Sequence, residues 1–134
     1  MDDERKVERE TVLEAPTDEV WEALTDERLL SEWLADDVEL EPAAGGSARF
    51  RFADGSEREG RVLRVEEERA LSFTWTRPGE PETEVDIRLE PLVSGDTRLV
   101  VVERAIAGTP IALSGPVWDA RLAALAGATS LALV

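Results

Sequence analysis

The stretch RALSFTWTR, residues 69–77, sets Leu71, Phe73 and Trp75 against Ser72, Thr74 and Thr76. Strict alternation of apolar and polar residues is the pattern of a β-strand with one face turned to a core. Rings are scarce in this chain, with three Phe, four Trp and no Tyr in 134 residues. Two of them on one face of one strand mark a packing centre. The same parity serves a dry core and the wall of a ligand cavity equally well.

Working outward, the neighbours repeat the pattern. RPGEPE is a Pro/Gly turn, and TEVDIRLEP then alternates Val85, Ile87 and Leu89 against charged residues. VSGD turns again and TRLVVVERA closes the series. Upstream, DVELEP is a short strand, and GGSARFRF sets Ala48, Phe50 and Phe52 opposite Arg49 and Arg51. ADGS carries the Asp-Gly hairpin signal, and EREGRVLRVEEE is the return strand. Connections this short favour sequential antiparallel pairing.

The ends differ. KVERETVLEA reads as a first strand, with Val7, Arg9 and Thr11 on one side. APTDEVWEALTD changes period to a helix: Pro16 pre-sets its first turn, and Val20, Trp21, Ala23 and Leu24 make its apolar stripe. Trp21 reads as a packing anchor. Thr25 or Asp26 caps a second short helix, ERLLSEWL. GPVWDARLAALAGATSLALV is a long helix opened at Pro116, with Gly127 a place for a kink or an end. The expectation is one α+β domain over residues 1–134. A curved antiparallel sheet of six or seven strands wraps a long C-terminal helix, with two short helices after strand 1. A sheet with one apolar face needs a single cover, and only the last helix is long enough to supply it.

Composition narrows the chemistry. The chain has no Cys and no His, which removes disulfides, thiolate nucleophiles, Cys/His zinc sites and imidazole catalysis. Neither a metal nor a cofactor is expected. Thirty acidic against fifteen basic residues give a net charge of −15. Such a surface repels phosphate backbones and argues against nucleic acid. No apolar run suggests a membrane span, and MDDERKVERE has no signal-peptide character. A cytoplasmic location is the simplest expectation.

The segments APTDEVWEALTDERLLSEWL, GGSARFRFADGSEREGRVLRVEEERALSFTW and the helix opened by Trp118 together resemble the SRPBCC superfamily, the START-like or birch-pollen-allergen-like helix-grip domains. Within it, the chain resembles the branch named for the activator of heat-shock-protein-90 ATPase homologues, which has many bacterial members, and a bacterial source is expected. The resemblance implies an apolar cavity between sheet and long helix that holds a small hydrophobic molecule. It also allows an aromatase or cyclase activity, or a co-chaperone-like interaction, and it supplies no catalytic residue.

The candidate ligand-binding residues are Trp33, Phe50, Phe52, Phe73, Trp75, Val85, Ile87, Val101, Glu103, Trp118 and Arg121. Each apolar one reads first as core, except Trp33, where core and cavity rim read equally. Glu103 shares parity with Leu99 and Val101, so it faces the cavity unless it lies at a wet, frayed strand end. It is the one weak catalytic candidate, with Arg121 or Arg64 as partner. Arg49, Arg51, Arg58 and Arg61 read as a solvent face laced with charge. A protein-interaction role predicts an exposed apolar patch at Val100 and Val102 or at TSLALV, and the terminal SLALV is a homodimer contact candidate.

Overall fold

The computed structural model describes residues 6–77, 79–106 and 115–132, with side chains of the last segment described over 117–127. The elements run β1 (Lys6–Leu13), α1 (Thr17–Thr25), α2 (Glu27–Trp33), β2 (Asp37–Leu40), β3 (Ser47–Arg51), β4 (Glu57–Glu66), β5 (Ala70–Thr76), β6 (Thr83–Pro91), β7 (Thr97–Ala105) and α3 (Gly115–Ala132). All pairings are antiparallel, in one sheet of order β1-β7-β6-β5-β4-β3-β2. The α+β helix-grip architecture is the one expected, and the side chains of TSLALV lie outside those described.

Local chemistry explains the element ends. Pro16 stands at the N-terminus of α1, whose first turn carries Asp18 and Glu19 against the positive end of the helix dipole. Asp26, rather than Thr25, caps α2, accepting from the backbone N–H groups of Arg28 and Leu29. The Asp54–Gly55 turn closes β3 onto β4, with Gly55 at φ +87°, a conformation that costs glycine little. Gly127 neither ends nor breaks α3, and a Cβ there would meet no described atom within 4 Å.

One face of the sheet is the core face. Leu13, Val38, Leu40, Phe50, Val62, Leu71, Phe73, Val85, Ile87, Leu99 and Val101 are buried on it. Trp118, Leu122 and Leu125 recur every three or four residues along α3 and are buried. α1 and α2 add Val20, Leu24, Leu30 and Trp33 to the same core. Thr97, fully buried, donates to the carbonyl of Ala15 at 2.7 Å and ties β7 to the start of α1. At the far edge, α2 caps β2: the Val38 and Leu40 N–H groups donate to the side chains of Ser31 and Glu27.

Three sequence expectations change here. Arg58 and Arg61 cannot share a face, because they stand three residues apart in one strand. Register puts Arg58 opposite Phe50, on the inner face, and Arg61 opposite Ser47, on the outer one. Arg64 also faces out: the β4–β5 register slips at Leu63, which leaves that side chain 44% exposed, and Arg64 bonds Glu66. It is no partner for Glu103. Ser72 and Thr74 point to the outer face as expected, yet both are buried, because β5 has a strand on each side and long outer side chains lie beside them.

Candidate functional site: a buried carboxyl group beneath a ring cluster

β5, β6, β7 and α3 converge on Glu103. In β7 it lies opposite Val85 on one side and Val7 on the other, on the inner face. It is only 6% exposed, so the wet, frayed alternative does not hold. A buried carboxyl group needs partners, and Glu103 has three. Its Oε2 accepts from the indole N–H of Trp75 at 2.9 Å and from the hydroxyl of Thr83 at 2.7 Å. Its Oε1 accepts from the indole N–H of Trp118 at 2.8 Å. The donors come from β5, β6 and α3, so this one group fixes the helix to the centre of the sheet. All three neighbours donate to it, the pattern of an ionised carboxylate, which can only accept.

The rings pack around that anchor. Trp75 sits edge-on to Phe50 (centroids 5.1 Å) and Phe73 (5.5 Å), and stacks toward Trp118 at 6.3 Å. Phe52 lies beyond the end of β3, half-buried, 6.5 Å from Trp75. Edge-to-face pairs of this kind contribute about 0.5–1.5 kcal/mol each beyond the area they bury.

Two guanidinium groups complete the cluster. The Arg58 carbon lies 4.4 Å from the Trp75 centroid, and that of Arg121 lies 5.2 Å from Trp75 and 4.8 Å from Trp118. Both also approach Phe52. Among the described residues neither forms an ion pair or a hydrogen bond, and the Arg58 Nε is buried without an acceptor. Burial pushes the Arg121 pKa down to about 10, helped by repulsion from Arg58 and opposed by Glu103. Burial also lowers Arg58, with Glu103 again opposing. The Arg77 Nε is buried and unpartnered too, while its guanidinium lies 4.0 Å from Glu80.

The predicted candidates thus divide. Phe50, Phe52, Phe73, Trp75, Glu103, Trp118 and Arg121 come together in one cluster. Val85, Ile87 and Val101 are buried beside it on β6 and β7. Trp33 stands apart: it is buried, and its indole N–H donates to the carbonyl of Ala23, linking α1 and α2. Sequence reasoning missed Arg58 and Thr83. A two-residue count from Phe50 across the Asp54–Gly55 hairpin finds the first, and the Trp75–Thr83 register across the RPGEPE turn finds the second. Two surface depressions lie elsewhere, around Gly60 and Glu59. One, of about 280 Å³, includes Arg49 and Glu39, and the other, of about 420 Å³, includes Arg61 and Leu63.

The sequence profile described as activator of Hsp90 ATPase homolog 1-like protein matches residues 14–128. The chain belongs to that family, within the SRPBCC superfamily. No functionally curated protein matches it in sequence. Solved structures share the fold. Protein MLL2253 from Mesorhizobium loti is 24% identical, with 95% of this chain covering 98% of that one at a TM-score of 0.86. DynU16, a protein of the dynemicin biosynthetic locus, is 30% identical at a TM-score of 0.80; the match takes in 92% of this chain but 46% of that one. The Aha1 dimer from Colwellia psychrerythraea is 19% identical, with 92% of this chain covering 95% of that one at a TM-score of 0.76. Among the described residues, no helix is long and apolar enough to cross a membrane.

Proposed function

We propose that the chain binds a small hydrophobic or aromatic molecule between the inner face of the sheet and α3, without transforming it. The observation that carries this reading is the convergence of Phe50, Phe73, Trp75 and Trp118, from three elements, on one end of the inner face. Rings gathered beside a few placed polar groups are the usual lining of a small-molecule site. The family supports it, since this fold commonly holds hydrophobic ligands. A thermal-shift and native mass-spectrometry screen of fatty acids and aromatic metabolites tests it. A true ligand raises Tm with concentration and appears at one-to-one stoichiometry. A screen in which nothing binds overturns the reading.

A second reading, an aromatase- or cyclase-type enzyme, draws on the burial of Glu103 close to Arg121 and on the biosynthetic locus of DynU16. Both Glu103 oxygens are already engaged by neutral donors, so proton transfer requires one of those bonds to open. Turnover of a polyketide-like substrate that disappears in Glu103→Gln would favour it. The apolar patch expected of a protein-interaction domain is broken up at Val100 and Val102. Both are half-buried and flanked in register by Glu10, Arg88, Glu8 and Asp86. Homodimerisation has the Aha1 dimer as support, and light scattering on the purified chain tests it.

A further inference from the structure

The sheet's outer arginines show what this acidic chain does with a positive charge. Arg49 sits between Glu39 and Glu59, Arg51 between Asp37 and Glu57, and Arg98 between Glu10 and Glu90. Arg58 and Arg121 break this habit. They are more deeply buried than these, yet among the described residues they have rings beneath them and no carboxylate beside them. Of the two acids that act on them, Glu80 lies 4.0 Å from the Arg77 guanidinium, and Glu103 spends both oxygens on indole and hydroxyl donors. Residues 106–114, which join β7 to α3, contain no Asp or Glu, while Asp2, Asp3 and Glu4 lie outside the described residues.

We propose that Arg58 and Arg121 are the acid-recognition end of the ligand site, and that the ligand carries one carboxylate on an apolar or aromatic body. This rests on the ligand-binding reading above and adds the chemical class of the ligand. A guanidinium laid on a ring keeps its edge N–H groups for an acceptor, and two N–H groups in a fixed fork fit a carboxylate. The buried Nε of Arg58 is such an N–H without an acceptor among the described residues. Charge selects a monoanion. Two guanidinium groups against one carboxylate leave a single positive charge, since Arg77 has Glu80 nearby. Burial strengthens the preference, because a site poor in water favours the anion that neutralises it.

The test uses two matched pairs of probes: decanoate with decanol, and 2-naphthoate with 2-naphthalenemethanol. Binding is measured by calorimetry to the whole chain and to R58Q, R121Q and R61Q. The expected result is that each acid binds at least about ten-fold more tightly than its alcohol, the scale of a charge-assisted bidentate contact. In R58Q and R121Q that preference falls toward one while the alcohol keeps its affinity within about two-fold. R61Q, on the outer face, keeps the preference. Equal binding of acid and alcohol by the native chain overturns acid recognition and leaves the hydrophobic site standing. Loss of the preference in R61Q as well also overturns it, because general charge would then be the cause. Failure of all four probes to bind removes both readings.

Discussion

Two buried carboxyl groups stand on neighbouring strands and face opposite ways. Asp86 of β6 is 7% exposed on the outer face, and Glu103 of β7 is 6% exposed on the inner one. Asp86 accepts from the Ser72 hydroxyl at 2.7 Å and meets the guanidinium of Arg88 at 3.1 Å. Glu103 has three neutral donors and no bonded cation among the described residues. The outer acid is neutralised locally by an arginine that stays in water. The inner one is held by dipoles, and the nearby cations rest on rings. The difference teaches that the inner face stabilises negative charge without spending its arginines, which leaves them free for something else.

The sharpest way to break the comparison is to remove each acid in turn. Glu103→Ala orphans two indole N–H groups and a hydroxyl and should cost about 3–5 kcal/mol. Asp86→Ala leaves a serine that can turn and an arginine in solvent, and should cost about 1 kcal/mol. Urea unfolding measures both, and equal losses would erase the distinction between the faces. A finer cut removes one donor from each. Thr83→Val should cost about 1–2 kcal/mol, and Ser72→Ala about half as much, read from the same transitions. Smaller again is Gly127→Ala in α3, which touches neither acid. It should stabilise by about 0.5–1 kcal/mol, because nothing crowds the new methyl group.

A separate expected effect is one of pH. A base whose pKa is depressed on folding binds more protons when unfolded, so stability rises with pH across the gap. For Arg121 the gap opens at about 10 and closes at the ordinary, higher value of a free guanidinium. The groups facing it are Arg58, Arg77 and Glu103. The stability of the native chain relative to R121M should therefore be lowest below about pH 10 and climb above it. Chemical unfolding at pH 8, 10 and 11 reads the trend, and a flat difference would mean that Arg121 feels no burial.

Much of the fold was legible because alternation is a direct record of which face is buried. Leu71, Phe73 and Trp75, then Val85 and Ile87, then Leu99, Val101 and Glu103 all obey it. The site was legible only in part. Glu103 follows from parity, but its partners belong to the next register row, and register depends on turns whose geometry the residues alone leave open. Arg58 was hidden because it sits in a run of arginines that looks uniform by composition and is divided by the pleat. Arg64 was misplaced by the single extra residue at Leu63, which no pattern of apolar residues announces. Ser72 and Thr74 show the opposite limit: polarity marks the outer face, not exposure to water.

The capped end of the sheet has a consequence for how copies of this chain meet. An open sheet has two edge strands, and an unpaired edge invites another strand to add to it. At β2 that invitation is withdrawn, because Ser31 and Glu27 of α2 occupy the N–H groups of Val38 and Leu40 that a newcomer would need. The strand is also only four residues long, with Asp37 and Glu39 on its outer face. At the other end β1 turns Glu8 and Glu10 outward, where Lys6 and Arg98 already pair them, so charge does not close that edge in the same way. Lateral growth is thus opposed by a helix at one border, which leaves β1 as the edge where another strand could add.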